Sequence, residues 1–113
     1  NPLACAASLA AVRTILDEDL MTQATEKGTY LVKQVKEKTA GTDYIKDIRG
    51  KGLMIGIELY FPGKPVVMEM LEQFVISNVT MDTTIRLVPP LVITYDQIDR
   101  FVDVFVNVLE KHG

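Results

Sequence analysis

Arg86 is the residue of this chain whose type and surroundings point most directly to chemistry. It interrupts the apolar run 85–88 and stands just before the rigid pair Pro89-Pro90. Alternation along a strand puts its side chain on the face opposite Ile85 and Leu87. A guanidinium binds a carboxylate through two parallel hydrogen bonds. Arg86 is therefore a candidate carboxylate-binding residue, and an ordinary surface or salt-bridged arginine is the alternative.

The segment Arg49-Gly50-Lys51-Gly52 is a second and weaker candidate for binding an anion. Glycines let backbone N–H groups converge on an anion, and two cations stand beside them. A kink between two strands with solvated charges explains the same residues. Three other charged residues have structural explanations of this kind: Glu58 at a solvated edge, Asp82 in a turn and Lys64 as a solvated charge.

The other residue types that carry catalysis are nearly absent. A single cysteine, Cys5, excludes an internal disulfide and a cysteine-based zinc site. The single histidine, His112, stands next to the C-terminus, so we expect neither a Ser-His-Asp triad nor a histidine-based metal site. Cys5 fits a small apolar helix position, and His112 fits the end of a helix. We therefore expect no catalytic and no metal-binding residue in the chain.

Size and charge narrow the function classes further. The 113 residues include 48% hydrophobic and 24% charged side chains, which predicts one globular domain rather than disorder. A net charge of −3 argues against nucleic-acid binding through a basic surface. The apolar stretch 2–12 is shorter than the roughly 20 residues of a membrane span. We expect a cytoplasmic protein without a membrane segment. A first residue other than Met fits a piece of a longer chain, and processing of the N-terminus would give the same start.

Helix signals lie at both ends of the chain. Asn1-Pro2 pairs a preferred N-cap with a residue suited to the first helical position. The next helix carries an apolar stripe at helical spacing: Leu20, Ala24, Gly28, Leu31 and Val35. Gly28 on that stripe predicts a close approach to another helix. Thr94 and Gln97 form a capping box that begins the last helix.

Strand signals lie between these helices. Residues 53–59 alternate apolar and other side chains, which predicts a strand with one buried face, and weaker strands are predicted over 44–49, 75–79 and 84–88. A short helix that follows the turn 62–65 is marked by Val67, Met70, Leu71 and Phe74. Grouped strands with flanking helices favour an α+β fold of two layers, a mostly antiparallel sheet of three or four strands covered by helices.

Three segments carry a family resemblance. They are 1–7 (NPLACAA), 48–59 (IRGKGLMIGIEL) and 85–93 (IRLVPPLVI). In this order they resemble the C-terminal part of class III pyridoxal-phosphate aminotransferases of the acetylornithine and ornithine type, and the match extends over essentially the whole chain. In that family the first segment opens the helix that leads from the large cofactor domain into the small domain.

The resemblance implies a domain division, a cofactor and a role for one residue. Residues 1–16 would link to an absent large domain, and 17–113 would form the small C-terminal domain of a fold type I enzyme. Such enzymes bind pyridoxal phosphate as a Schiff base to a lysine of the large domain and work as homodimers or larger oligomers. That lysine lies upstream of this chain, so no cofactor-binding residue is expected here. Arg86 matches the arginine that binds the α-carboxylate of the substrate.

The same resemblance implies a reaction for the complete enzyme. The terminal amino group of acetylornithine would move to pyridoxal phosphate and then to 2-oxoglutarate, a step of arginine biosynthesis, and this chain alone would be inactive. Arg86 would hold the carboxylate end of the substrate while the distant amine reaches the cofactor. The segment Asn78-Val79-Thr80 favours acetylornithine over ornithine or 4-aminobutyrate.

Two functions of another class stay open on the sequence alone. A free-standing α+β module would sense a small amino acid through Arg86. Alternatively, the chain would act as a dimerisation element, because its alanine-rich first helix exposes apolar surface when no large domain covers it. This second hypothesis predicts that the helix packs against another copy or lies displaced.

Overall fold

The computed structural model describes residues 1–113 as four helices and four strands. In chain order these are α1 (Pro2–Asp17), α2 (Leu20–Lys38), β1 (Ile45–Lys51), β2 (Met54–Leu59), α3 (Lys64–Glu72), β3 (Asn78–Thr80), β4 (Thr84–Leu87) and α4 (Tyr95–His112). The strands form one antiparallel sheet in the order β1-β2-β4-β3. The prediction of an α+β fold with a mostly antiparallel sheet of three or four strands is confirmed.

The two faces of the sheet have different surroundings. One face, which we call the closed face, packs with α2, α3 and α4 into a single core of 16 buried residues. Ile57, Ile85 and Phe105 in this core have no exposed surface. The other face, which we call the open face, carries the side chains that alternate with the buried ones. On β2 and β4 those side chains are exposed or half-buried.

Strand β1 departs from simple alternation, whereas β2 follows it. The inward residues of β2 are buried as predicted: Ile55, Ile57 and Leu59. The register between β1 and β2 shifts between Ile45 and Asp47. A bulge of this kind inserts one extra residue into the strand pair. As a result Ile45 and Ile48 both pack against the core although they are three positions apart.

Helix α4 supplies a large part of the core and begins where the capping box predicts. The Thr94 hydroxyl oxygen accepts from the Gln97 backbone N–H at 3.2 Å, and the Gln97 side-chain oxygen accepts from the Thr94 N–H at 3.0 Å. Its buried residues are Ile98, Val102, Val104, Phe105, Val106, Val108 and Leu109. Glu69 of α3 contacts Lys111 at 2.8 Å and His112 at 2.5 Å. The hydrogen bond from Lys111, and after it that from His112, lowers the pKa of Glu69.

Helix α1 begins at the predicted cap but contributes nothing to the core. The Asn1 side-chain oxygen accepts from the backbone N–H groups of Leu3 at 2.9 Å and Ala4 at 3.3 Å. No residue of α1 is buried, and its large apolar side chains are exposed: Leu3, Leu9, Val12 and Leu16. The molecule is accordingly elongated, with extents of 50 × 26 × 23 Å. None of the four helices combines the length and apolar character needed to cross a membrane.

Two local predictions between residues 64 and 79 are wrong. Helix α3 buries Val66 and Met70, whereas Leu71 and Phe74 of the predicted stripe are exposed. Phe74 follows the end of the helix with φ 62°, so its side chain does not continue the helical face. The strand predicted over 75–79 is reduced to β3, because the residues before β3 have no ladder partner.

Gly28 makes a close approach, but its neighbour is a turn rather than a helix. A Cβ added at Gly28 would overlap the carbonyl oxygen of Gly52. Gly52 lies in the turn between β1 and β2 with φ 58°, a conformation that favours glycine. The two glycines therefore let α2 contact this hairpin turn through backbone atoms, which helps hold the sheet against the helix.

Candidate functional site

Arg86 lies on β4, an interior strand that pairs with β2 on one side and with β3 on the other. Its neighbours Ile85 and Leu87 are buried, and Arg86 itself is exposed, as the alternation predicts. The Arg86 side chain therefore stands on the open face, away from the helices that cover the closed face.

The register of the sheet aligns four residues across the open face. Arg49 of β1 pairs with Gly56 of β2, Gly56 pairs with Arg86, and Arg86 pairs with Asn78 of β3. Paired residues of an antiparallel sheet project to the same face, with Cβ atoms about 4.5–5.5 Å apart. We call these four residues the arginine row. Because Gly56 has no side chain, Asn78 is the nearest side-chain neighbour of Arg86 in the row.

The two arginines of the row differ in their charge environment. The Arg49 guanidinium donates to Asp47 and Glu58 at 2.9 Å each, and Lys46 lies 3.7 Å from Glu58. The hydrogen bond from Arg49 lowers the pKa of Glu58, and Glu58, ahead of Asp47, raises the pKa of Arg49. Arg86 makes no hydrogen bond and no ion pair with any residue of the chain. Its charge is therefore free to bind an anion.

Arg86 stands between two surface depressions. The larger, about 740 Å³, has mainly apolar walls and includes Asn78 and Ile76. Its wall also holds the hydroxyl of Ser77, whose oxygen is buried without a hydrogen-bond partner. The smaller, about 300 Å³, is lined by Gly56 and by both arginines of the row. A cation beside an apolar depression suits a ligand that combines a carboxylate with an aliphatic chain.

The other sequence candidates have structural roles. Most of the segment 49–52 belongs to β1 and its turn, and Arg49 is occupied by carboxylates, so the kink with paired charges describes it better than an anion cradle. Lys64 begins α3, and Asp82 lies in the turn between β3 and β4 with φ 67°. Cys5 is exposed on α1. No group of three or more His, Cys, Asp or Glu residues is arranged to hold a metal ion.

Asn78 is the neighbour of Arg86 that the sequence pattern did not predict. The motif 78–80 indicated a substrate preference, without a place in the site. The pairing of Asn78 with Arg86 depends on the register between β3 and β4. A pattern of alternating side chains gives the face of a residue but leaves its partner on the next strand unknown, so the missing signal was the register.

Comparison with known proteins decides the family. The family model described as aminotransferase class-III matches residues 1–109. The chain belongs to this family. Acetylornithine aminotransferase of Methanosarcina acetivorans is 50% identical over 106 residues, and ornithine aminotransferase 2 of Staphylococcus aureus is 43% identical over 99 residues. The resemblance to aminotransferases of the acetylornithine and ornithine type is confirmed.

The chain spans about a quarter of the length of these relatives. The two matches cover 92% and 88% of the chain, but 26% and 24% of the relatives. Among solved structures, an ornithine aminotransferase from Plasmodium yoelii matches 100% of the chain with a TM-score of 0.91 at 28% identity, over 31% of its own length. The fold described above is therefore the fold of one part of a class III aminotransferase.

Membership of the family implies pyridoxal phosphate in the complete enzymes. A lysine that binds this cofactor must reach it from the wall of a site, and no lysine lines either depression at Arg86. A third depression, about 570 Å³, is lined by Lys33 and Lys36, which are exposed on α2. The residues around Arg86 therefore include no lysine that could bind the cofactor there. What the open face presents at this position is the unpaired guanidinium of Arg86.

Proposed function

We propose that this chain is the domain of an aminotransferase subunit that binds the substrate carboxylate, with Arg86 as its ligand. The observation that carries the proposal is an unpaired guanidinium on the open face of a class III aminotransferase domain. Amino acids and 2-oxo acids share a carboxylate, and a guanidinium binds this group through two parallel hydrogen bonds. Arg86 would thus fix one end of the substrate while the reacting group lies at the other end.

The amino donor in this proposal is acetylornithine, and the acceptor is 2-oxoglutarate. A relative named acetylornithine aminotransferase at 50% identity supports this choice. A relative named ornithine aminotransferase at 43% identity keeps ornithine as an alternative donor, and 4-aminobutyrate is a further alternative. The ratio of kcat/KM for acetylornithine to that for ornithine distinguishes the donors. Arg86 would bind a carboxylate of donor and acceptor in turn.

The properties of the complete protein belong to the same proposal. Pyridoxal phosphate, bound outside residues 1–113, supplies the chemistry of amino-group transfer in a cytoplasmic homodimer that serves arginine biosynthesis. Residues 1–16 would link to the large domain, and 17–113 would form the small domain. The exposed apolar side chains of α1 support this division, because a neighbouring domain would cover them.

The chain alone is inactive in this proposal, because no lysine lines the depressions at Arg86. Mixing it with pyridoxal phosphate and the two substrates should give no transaminase activity. Borohydride should fix no cofactor to it at a specific lysine. A specific, reducible complex at one of the chain's own lysines would contradict the proposal.

A chimera tests the role of Arg86. Residues 1–113 replace the matching segment of the Methanosarcina acetivorans relative, and steady-state kinetics are measured for the amino donor and for 2-oxoglutarate. Arg86→Ala should raise both KM values by at least about 100-fold, since each of the two hydrogen bonds to a charged group contributes roughly 1.5–3 kcal/mol. Arg86→Lys should have an intermediate effect, because it keeps the charge and loses the paired geometry.

Arg49→Ala is the matched control for this experiment. It removes the same side chain from the same row, at a position where Asp47 and Glu58 already bind the guanidinium. Its KM values should stay within about threefold of those of the unchanged chimera, as expected for a charge that is already paired. Unchanged KM values in Arg86→Ala, or equal increases in both variants, would exclude Arg86 as the carboxylate ligand.

A further inference from the structure

Asn78 and Arg86 are positioned to contact one ligand group. They are register partners on adjacent strands, and both are exposed on the open face. Side chains paired in this way have Cβ atoms about 4.5–5.5 Å apart. On the other side of Arg86 the row continues with Gly56, which has no side chain. Asn78 is thus the side chain of the row that can share a ligand with Arg86.

The backbone determines which way the Asn78 amide is oriented. Its Oδ1 accepts a hydrogen bond from the Val79 backbone N–H at 2.9 Å. An amide carries its acceptor and its two donors on opposite sides of one carbon atom, so this bond directs the NH₂ group away from Val79. No residue of the chain accepts a hydrogen bond from that group. Asn78 therefore presents two free donors on the open face.

Donors from both side chains match the acceptor capacity of one carboxylate. A carboxylate offers about four lone-pair sites, and a bidentate guanidinium uses two of them. The remaining sites can accept from the Asn78 amide. An amine end of a ligand, by contrast, would meet only donors at this position and would leave them unpaired, which disfavours it. The pair therefore selects the carboxylate end of an amino acid over its amine end.

We propose that Asn78 and Arg86 form one carboxylate-binding pair, in which the Asn78 NH₂ group donates to the carboxylate that Arg86 binds. This inference rests on the proposed function of Arg86 and adds a second, neutral ligand to it. Asn78 would determine the orientation of the substrate without taking part in the transfer of the amino group.

The test measures inhibition of the chimera by glutarate, an unreactive dicarboxylate. Asn78→Ala removes the donor without adding a charge, and it should raise the inhibition constant of glutarate about tenfold, as expected for the loss of a hydrogen bond to a charged group. The KM of the amino donor should rise similarly, and kcat should stay within about threefold. Asn107→Ala, the same substitution at an exposed position of α4 that lines neither depression at Arg86, is the matched control and should leave the inhibition constant unchanged.

Asn78→Asp is the second variant, because aspartate has the same shape and its oxygen can still accept from Val79 N–H. This variant keeps the hydrogen bond to Val79 and therefore the local structure of the strand. It replaces the free NH₂ donor with an anionic oxygen, so the inhibition constant of glutarate should rise more than in Asn78→Ala. An increase in Asn78→Asp alone would reflect charge and would overturn the inference. A fall in kcat with an unchanged inhibition constant would show a structural role and would overturn it as well.

Arg86→Ala separates this inference from the proposed function. If Arg86→Ala weakens glutarate binding while Asn78→Ala does not, the pair is wrong and the role of Arg86 stands. If Arg86→Ala leaves glutarate binding unchanged, the proposed function itself fails. Weaker binding in both variants supports the pair.

Discussion

The closed and open faces belong to the same four-stranded sheet, but their side chains differ in burial and in polarity. At the level of Arg86 the closed face carries an apolar row that packs into the core: Ile48, Ile57, Ile85 and Val79. One residue further along each strand, the arginine row is polar and faces away from the helices. The period of two therefore lets one four-stranded sheet keep its apolar core and the unpaired charge of Arg86 on separate faces.

The same contrast recurs within the arginine row. Arg49 forms ion pairs with Asp47 and Glu58, so its charge is already neutralised within the sheet. Arg86 has no such partner, although it lies in the same row. A carboxylate neighbour on the adjacent strand is thus what distinguishes a structural arginine from one that can bind a ligand.

The largest effect on stability is expected at the centre of the closed face. Phe105 has no exposed surface and stacks on Phe101 with ring centroids 5.4 Å apart. Phe105→Ala should lower the free energy of unfolding by about 3–5 kcal/mol, since it removes a buried aromatic side chain and leaves a cavity. Urea unfolding of the chain measures this loss. A loss below about 1 kcal/mol would mean that the closed face does not hold the fold together.

A smaller loss is expected where α2 contacts the hairpin turn at the edge of the closed face. Gly28→Ala places a Cβ against the Gly52 carbonyl, and backbone displacements of this kind cost about 1–3 kcal/mol. Thr29→Ala, at the exposed neighbouring position of the same helix, should change stability by less than about 0.5 kcal/mol. Equal effects of both substitutions on urea unfolding would show that the close approach is not required.

Measurements at acid pH test the ion pairs of the open face, in which Arg49 contacts Asp47 and Glu58. The hydrogen bond from Arg49 lowers the pKa of Glu58 in the folded chain, so the unfolded chain binds more protons in this range. The contribution of Glu58 is therefore present above its usual pKa of about 4.3 and is lost as the pH falls through the lowered value. Glu58→Gln should reduce the fall of Tm with acidification below about pH 4.3. Glu69→Gln is the comparison variant for this measurement. The pKa of Glu69 is also lowered, but by Lys111 and His112 of α4 and not by a residue of the sheet.

The smallest effect on stability is expected at Arg86 itself. Arg86→Ala should change the free energy of unfolding by less than about 0.5 kcal/mol, because the side chain is exposed and has no partner in the chain. Urea unfolding of the variant beside the unchanged chain measures the difference. A loss of more than about 1 kcal/mol would show that the open face also stabilises the fold, and the two faces would no longer be separate.

Features that depend on local spacing could be predicted from the sequence. The capping box places the start of α4, and alternation gives both the buried face of β2 and the outward face of Arg86. These signals are contained in a few neighbouring residues. The three family motifs also indicated the type of domain, because they occur along the chain in the order that is typical of the family.

Features that depend on pairing between distant segments could not be predicted in this way. The cluster of Arg49 with Glu58 and the pairing of Arg86 with Asn78 both follow from the register. The bulge in β1 shifts the register of Ile45 against β2 by one residue, and nothing in the alternation marks it. Phe74 was predicted as apolar and inward, but it lies two positions beyond the end of α3 with a left-handed backbone.

The positions of Arg86 and Asn78 within the sheet should give them different mobility. Strand β4 is hydrogen-bonded on both of its edges, whereas β3 is a three-residue strand at the border of the sheet. Interior segments open only with the unit around them, and borders open more easily. Backbone amides near Arg86 should thus exchange their hydrogens with solvent more slowly than those near Asn78. A bound carboxylate would be held by one rigid partner and one that adjusts.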